Sequence, residues 1–226
     1  MKKLLAAAAL GGIAVAARRY LSVRHDLARV PAEFRSPLLL LLTGNTTERS
    51  LRFTRLFYGG IRTSSGPDVT VSERRVGPDA VPVLVTTPAG HRDDRRPAVL
   101  YIHGGGLIMG SPQTEAMGSG RLARELDAVV VSPDYRLAPE HPYPAAIDDC
   151  MAALRWLRDN AGELGIDAGR IAVTGSSAGG GLSAAVAQRA HDEGIALRAQ
   201  ALVYPMLDDR SALRDHGVRG RFLWTP

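Results

Sequence analysis

One serine in the sequence lies in a pattern that suits nucleophilic chemistry. Gly175-Ser-Ser-Ala-Gly179 follows an apolar, β-branched run, Ile171–Thr174, and precedes a helix-like segment. A strand, a sharp turn and a helix in this order hold the middle serine, Ser177, clear of its own backbone, as attack on a carbonyl carbon requires. Gly175 and Gly179 keep Cβ atoms away where strand and helix approach each other. The pattern therefore predicts Ser177 as a nucleophile, although a purely structural glycine-rich turn has the same spacing.

A second glycine-rich segment offers a complementary chemical group. Ala98–Ile102 reads as a short buried strand and runs into His103-Gly-Gly-Gly106. Successive glycines after a strand can turn backbone N–H groups toward one point, as an oxyanion hole requires. Two such segments, each at the end of a predicted strand, favour nucleophilic attack on a carbonyl over a structural use of the glycines.

Three motifs, in this order along the chain, resemble the hormone-sensitive-lipase-like family of α/β-hydrolases. They are His103-Gly-Gly-Gly106, the proline-rich segment Asp134–Ala145, and Gly175–Gly180. The resemblance runs from about Val69 to the C-terminus. The sequence departs from the family pattern at Ser176, where the family usually has Asp, and this departure leaves the pattern of glycines and serine intact.

The resemblance implies a carboxylic-ester hydrolase, either an esterase or a lipase. It assigns the oxyanion-hole N–H groups to Gly105 and Gly106, together with Ala178, whose place after the nucleophile also follows from the turn geometry. It gives His103 and Gly104 structural roles. We expect a small-molecule or lipid ester as substrate. The sequence contains neither a metal-ligand cluster nor a dinucleotide-binding fingerprint, so we expect no metal ion and no cofactor.

The family places an acid and then a histidine after the serine, each in a loop that follows a later strand. Since 22 residues follow Tyr204, the chain is too short for two further strands with their crossovers. His191 falls at the far end of the helix after Ser177, and His216 follows no strand. We therefore expect the fold to lack its last strands, the catalytic Asp and His to be absent, and the chain to be inactive. A non-catalytic small-ligand-binding protein and a non-functional fragment of this fold are the alternatives.

The composition suits a globular protein with one medium-sized core. Hydrophobic residues make up 45% and charged residues 23% of the 226 residues. The net charge of +5 arises within residues 1–75, and no nucleic-acid-binding motif accompanies it, so we expect no nucleic-acid partner. Cys150, the single cysteine, lies on the apolar face of a predicted helix, which predicts a core position.

Residues 1–20 combine basic ends with an uncharged stretch, Leu4–Ala17. This stretch is short for a membrane span, which needs ~20 residues. A cleaved signal peptide, an uncleaved membrane anchor and an alanine-rich helix all fit the pattern. A basic segment beside an apolar one also suits association with a membrane surface. The sequence leaves open a membrane-associated, an exported and a cytoplasmic location.

The remaining patterns predict a helical cap segment over residues 21–63 and a partial α/β core over residues 64–226. By resemblance, the cap covers the acyl site. Val69–Val76 and Val81–Thr86 are predicted to form a β-hairpin. Later strands are predicted at residues 98–102, 128–132, 171–174 and 198–204, alternating with helices near 118–126, 145–160 and 178–191. Such alternation predicts a mainly parallel sheet with helices on both faces. The resemblance implies that this sheet belongs to the α/β-hydrolase fold.

Overall fold

The computed structural model describes residues 14–35 apart from 16, 19, 23, 26 and 29, and residues 48–90, 95–208 and 210. The chain divides into two compact units, of which the larger is Glu48–Leu207. In the smaller unit, the described residues between 14 and 28 are helical, and Ala32–Phe34 forms a short 3-10 helix. None of the helices that the structure describes is long and apolar enough to cross a membrane.

The larger unit alternates strands and helices after its first helix. Its elements are α1 (Glu48–Gly59), β1 (Val69–Val76), β2 (Val81–Pro88), β3 (Arg96–Ile102), α2 (Ala116–Leu126), β4 (Val129–Pro133), α3 (Ala145–Asp159), β5 (Ile166–Ser176), α4 (Ala178–Asp192) and β6 (Ala199–Val203). Each strand and helix predicted after residue 68 is present. β5 begins at Ile166 rather than at Ile171, because the fully buried Ile166 already pairs with Arg96 of β3.

The six strands form one sheet in the order β1-β2-β4-β3-β5-β6. β1 and β2 form the predicted antiparallel hairpin, in which Val76 pairs with Val81. β2 is also antiparallel to β4, whereas β3 runs parallel to both β4 and β5, and β5 runs parallel to β6. The prediction of a mainly parallel sheet is therefore confirmed for the part of the molecule that carries the motifs.

The sheet is covered by helices on both faces. Alternate residues of β3 and β4 point to opposite faces, as strand geometry requires. Leu100 and Val131 enter the larger apolar cluster, with Met151 of α3 and Val186 of α4. Their neighbours on the same strands enter a smaller cluster with Ala123 of α2. α2 therefore lies on one face of the sheet, and α3 and α4 lie on the other.

This change of face places a reversal of strand order at the carboxyl ends of β3 and β5. The chain passes from β3 through α2 to β4 on one side, and then returns through α3 to β5 on the other side of β3. In open α/β sheets, ligands bind where the strand order reverses in this way. The motif that begins at His103 directly follows β3, and Ser177 directly follows β5.

α1 lies within the predicted cap segment, residues 21–63. It ends at Gly59, and residues 60–65 that follow are not helical. Leu51 is buried, whereas the side chains of Phe53 and Leu56 are 73% and 76% exposed. Residues 36–47 of the predicted cap segment and most of residues 1–20 lie outside the described residues.

Candidate active site

Ser177 adopts a backbone conformation that few residues other than glycine accept. It lies between the last residue of β5 and the first residue of α4, with φ 55° and ψ −118°. Such a conformation is costly for a residue with a Cβ atom and persists only where the surroundings enforce it. Here the Ser177 N–H donates to the carbonyl of Val203 at 2.9 Å, and the Ser177 carbonyl accepts from Met206 at 3.0 Å. The strand-turn-helix geometry predicted for this serine is therefore present.

The two glycines that flank the serine turn, residues 175–179, lie in backbone contact with β3. A Cβ atom on Gly175 would lie 2.5 Å from the carbonyl oxygen of Ile102, and one on Gly179 would lie 2.5 Å from that of His103. Any side chain here would overlap backbone atoms that cannot move aside. The absence of Cβ atoms thus lets β3, β5 and α4 meet directly beneath Ser177.

The glycine loop, residues 103–106, lies beside the serine turn. A Cβ atom on Gly104 would be 3.0 Å from the carbonyl oxygen of Ser176. Gly105 and Gly106 have φ values of 119° and 64°, which favour glycine. Within the described part of the chain, the N–H groups of Gly105, Gly106 and Ala178 donate to no protein acceptor. Three free donors thus occur in the two segments that the sequence singled out.

The N–H group of Gly104 in the glycine loop is bound by an acidic side chain that the sequence analysis did not single out. Gly104, which is buried, donates its N–H to Glu115 Oε1 at 2.9 Å. The other carboxylate oxygen of Glu115 accepts the hydroxyl of Tyr101 at 2.8 Å. Only a weak sequence signal marks Glu115, because an isolated acidic residue just before a helix is common in any sequence.

His103 is held inside the protein rather than hydrogen-bonded to Ser177. Its ring stacks on that of Tyr135 with centroids 4.1 Å apart, and its Nδ1–H donates to the carbonyl of Gly104 at 2.8 Å. The Tyr135 hydroxyl donates to the His103 carbonyl at 3.0 Å. Burial lowers the pKa of His103 to about 4, so the ring is neutral at neutral pH. These contacts agree with the structural role that the resemblance implies.

The third motif, Asp134–Ala145, contacts the residues that directly follow the glycine loop. Ala138 donates its N–H to the carbonyl of Leu107 at 2.9 Å. Arg55 of α1 donates to the carbonyls of Ile108, at 2.6 Å, and Ala138, at 2.5 Å, and pairs with Glu140 at 2.8 Å. Arg55, a second residue that the sequence did not single out, therefore joins α1 to Ile108, just beyond the glycine loop, and to the third motif.

The same motif is fixed to α3 by an ion pair. The guanidinium of Arg136 contacts both carboxylate oxygens of Asp149 at 2.7 to 3.1 Å, and the Arg136 N–H donates to Asp149 at 2.8 Å. The Asp149 side chain is 1% exposed. Hydrogen bonding to this buried carboxylate raises the pKa of Arg136 above its ordinary value. Buried charges need such complete pairing.

No described histidine donates to or accepts from the Ser177 hydroxyl. His191 is exposed in the last turn of α4, with Asp192 beside it. The Asp208 carboxylate pairs with Arg210 at 2.8 Å. The remaining acids and histidine considered from the sequence, Asp209, Asp215 and His216, lie outside the described residues.

Two observations concern residues away from the serine turn. Cys150 is fully buried in α3, where desolvation raises the pKa of its thiol, and this confirms the predicted core position. Across the residues with described positions, no group of three or more His, Cys, Asp or Glu side chains is arranged to hold a metal ion.

Comparison with known proteins supports the motif-based resemblance. A family model described as the alpha/beta hydrolase fold matches residues 99–225. Carboxylesterase NlhH of Mycobacterium tuberculosis is 52% identical over 131 residues, which are 57% of this chain and 41% of NlhH. The arylesterase of Saccharolobus solfataricus is 46% identical over 127 residues, 55% of this chain and 42% of that protein. The chain thus spans less than half the length of these curated relatives.

The fold comparison gives the same result. The crystal structure of esterase LipW from Mycobacterium marinum matches with a TM-score of 0.70 at 36% identity, covering 84% of this chain and 63% of that chain. A bacterial heroin esterase matches with a TM-score of 0.68, also at 36% identity, covering 77% of this chain and 59% of that chain. With its strand order, its serine turn and its glycine loop, the chain belongs to the α/β-hydrolase fold family, among relatives that are esterases.

Proposed function

We propose that the chain carries the nucleophile and the oxyanion hole of a carboxylic-ester hydrolase. Ser177 is the nucleophile in this proposal, and the N–H groups of Gly105, Gly106 and Ala178 bind the oxygen of the substrate carbonyl. The observation that carries the proposal is the pairing of a strained serine with neighbouring backbone donors that lack protein acceptors. The esterase relatives support the same reaction class.

The chemistry follows from these groups. The Ser177 oxygen forms a bond to the carbonyl carbon, the C=O π electrons move onto oxygen, and backbone N–H groups stabilise the resulting negative charge. A base takes the Ser177 hydroxyl proton during attack and returns it to the leaving oxygen as the intermediate collapses, which releases the alcohol and leaves an acyl ester on Ser177. Water then hydrolyses this ester, releasing the acid and restoring the serine hydroxyl. Loss of one oxyanion donor typically lowers the rate by about 10²–10³, so changes to the donors test the proposal as well as changes to the serine do.

Both halves of the reaction need a base to accept a proton. Among the described residues, no histidine hydrogen-bonds to Ser177, and His103 is held by Gly104 and Tyr135. We therefore expect negligible turnover from the 226-residue chain, at most the roughly 10³–10⁴ over the uncatalysed rate that enzymes lacking a triad member retain. An added small base should replace part of the missing function.

The test supplies imidazole as that base during hydrolysis of p-nitrophenyl butyrate. We expect the rate of p-nitrophenol release to rise with imidazole concentration more steeply with the chain than with Ser177→Ala. We also expect a butyryl group on the peptide that contains Ser177, detected by mass spectrometry after acid quenching. Ser72→Ala, which changes a serine on β1, is the matched control and should behave like the unmodified chain.

Equal imidazole dependence in the unmodified chain and in Ser177→Ala would show that Ser177 is not the nucleophile. Acylation at another side chain would have the same meaning. The lack of a described histidine partner for Ser177 favours one second candidate, a non-catalytic protein that binds a small ester or acid in the same crevice. Saturable binding of butyrate without acylation of Ser177 would favour that candidate.

A further inference from the structure

Glu115 has no role in the proposed chemistry, although both of its carboxylate oxygens point at groups around the glycine loop. Oε1 accepts the N–H of Gly104 at 2.9 Å, and Oε2 accepts the hydroxyl of Tyr101 at 2.8 Å. Gly104 is adjacent to the two residues whose N–H groups remain without acceptors. The carboxylate thus binds the Gly104 N–H, which is therefore not available to a substrate.

We propose that Glu115 is a positioning residue for the oxyanion hole. By accepting the Gly104 N–H, its carboxylate fixes the peptide plane from which the loop continues, so that the N–H groups of Gly105 and Gly106 stay directed to the crevice. This inference rests on the proposed function. Charge-assisted hydrogen bonds to backbone N–H groups are stronger and more directional than neutral ones, which suits this task.

The Glu115 side chain is positioned by β3 and by the start of α2. Tyr101 lies on β3, so its hydroxyl moves with the strand that leads into the loop. The Glu115 carbonyl accepts from Gly118 at 2.9 Å and from Ser119 at 3.2 Å, which fixes its backbone at the start of α2. The N-terminal end of a helix also favours a negative charge. The orientation of the Glu115 side chain is therefore fixed by β3 and α2 together.

Steric contacts leave little freedom around this arrangement. A Cβ atom on Gly118 would lie 2.8 Å from the Tyr101 hydroxyl, so α2 packs directly over that group. A Cβ atom on Gly104 would lie 3.5 Å from Glu115 Oε1 and 3.0 Å from the Ser176 carbonyl. The same residue of the loop thus contacts Glu115 on one side and the serine turn on the other. A change at Glu115 is consequently transmitted to the loop beside Ser177.

Two variants separate positioning from simple packing. Glu115→Ala removes the acceptor for the Gly104 N–H. Glu115→Gln keeps a carbonyl oxygen for Gly104, and its NH₂ group can donate to the Tyr101 hydroxyl. Glu125→Ala removes an exposed acid from the same helix, where it pairs with Arg121 at 2.8 Å, and serves as the matched control.

The first measurement is hydrogen exchange of the Gly104 amide in ¹⁵N-labelled protein, which requires no catalysis. We expect Glu115→Ala to speed exchange of this amide at least about tenfold, as loss of its only acceptor implies. We expect Glu125→Ala to exchange at the rate of the unmodified chain, and Glu115→Gln to stay within about threefold of it, because a neutral acceptor is weaker but still present. Unchanged exchange in Glu115→Ala would overturn the proposal.

The second measurement is the affinity for 1-butaneboronic acid. Its boron bonds to the serine oxygen, the serine proton passes to the buffer, and the resulting tetrahedral boronate anion presents a hydroxyl oxygen to the oxyanion hole. We expect Glu115→Ala to weaken binding at least about tenfold and Glu115→Gln to restore it to within about threefold. Equal weakening in both variants would overturn the positioning role. If Ser177→Ala binds the probe as well as the unmodified chain, the proposed function fails, and Gly104 exchange alone decides the role of Glu115.

Discussion

At the scale of single residues, His103 links the glycine loop to the stability of the core. Its ring is 1% exposed, stacks on Tyr135, and has an Nε2 atom with no hydrogen-bond partner in the described structure. A charged imidazolium in this position would lose its hydration without gaining a counter-charge, which is why the pKa falls from 6.5 to about 4. Protonation of His103 must therefore oppose folding.

We predict that acid destabilises the protein through this residue. Below pH ~6.5 the unfolded chain binds a proton at His103 while the folded chain does not, so the free energy of unfolding falls until the folded-state pKa of about 4 is reached. The contribution is fully present above pH ~6.5 and amounts to about 3 kcal/mol. Urea unfolding at several pH values between 4 and 7 measures it.

His191→Gln is the matched control for this prediction, because His191 is exposed. Its pH dependence should equal that of the unmodified chain, whereas His103→Gln should lose much of the slope. Should His103→Gln not fold, NMR titration of the His103 ring in the unmodified chain replaces it. A ring that protonates above pH 6 would contradict the prediction.

The sequence identifies the residues that lie in short motifs and misses those that act over long separations. Ser177 and the glycines of the loop are recognisable because turn geometry restricts both their type and their spacing. Glu115 and Arg55 carry no such local restriction. Arg55 reaches the carbonyls of Ile108 and Ala138, which are remote in sequence, so its role depends on packing that no local pattern encodes.

At the scale of elements, the junction of β3, β5 and α4 tolerates no side chain. We predict that Gly175→Ala lowers the free energy of unfolding by at least about 2 kcal/mol, because its Cβ would overlap the carbonyl oxygen of Ile102 and the backbone of Gly179. Gly162→Ala is the control, since no atom lies within 4 Å of a Cβ atom at that position. Chemical denaturation of both variants checks the difference.

Gly162→Ala should change the free energy of unfolding by no more than about 0.5 kcal/mol. A Gly175→Ala protein as stable as this control would show that the strands separate easily to admit a methyl group. Such a result would also weaken the interpretation that the serine turn is a rigid backbone junction.

The ends of a strand were predictable where its apolar run stops abruptly at a turn. They were less predictable where pairing with a neighbouring strand continues beyond the apolar run. β1 has the predicted limits, Val69–Val76, because a turn with Gly77 follows at once. β5 is longer than its apolar run, because Ile166 pairs with Arg96 across a register shift in the sheet. A single buried residue among polar neighbours gives no periodic signal, so the sequence could not reveal this extension.

At the scale of the whole molecule, the two edges of the described sheet differ in charge. β1 carries Glu73, Arg74 and Arg75, all exposed, whereas β6 has the uncharged sequence Ala-Gln-Ala-Leu-Val with most residues exposed. Charged side chains on an edge strand oppose pairing with another chain, and an uncharged apolar edge favours it. β6 is therefore the edge at which self-association is expected.

We predict that the chain self-associates with increasing concentration and that Ala201→Lys reduces this association. Ala201 is exposed on β6, and a lysine there would place a charge on the edge without replacing a buried group. Thr70→Lys adds the same charge to β1 and should have little effect. Sedimentation velocity at several protein concentrations measures the association.

A chain that stays monomeric at every concentration would contradict this expectation. So would an equal effect of Ala201→Lys and Thr70→Lys, because net charge rather than the β6 edge would then control solubility.

The two backbone hydrogen bonds around Ser177 have a mechanical consequence. Its N–H donates to the carbonyl of Val203, the last residue of β6, and its carbonyl accepts from the N–H of Met206, just beyond β6. A change that breaks either bond would remove a support of the strained Ser177 backbone. The conformation of this serine therefore depends on backbone groups that lie more than twenty residues further along the chain.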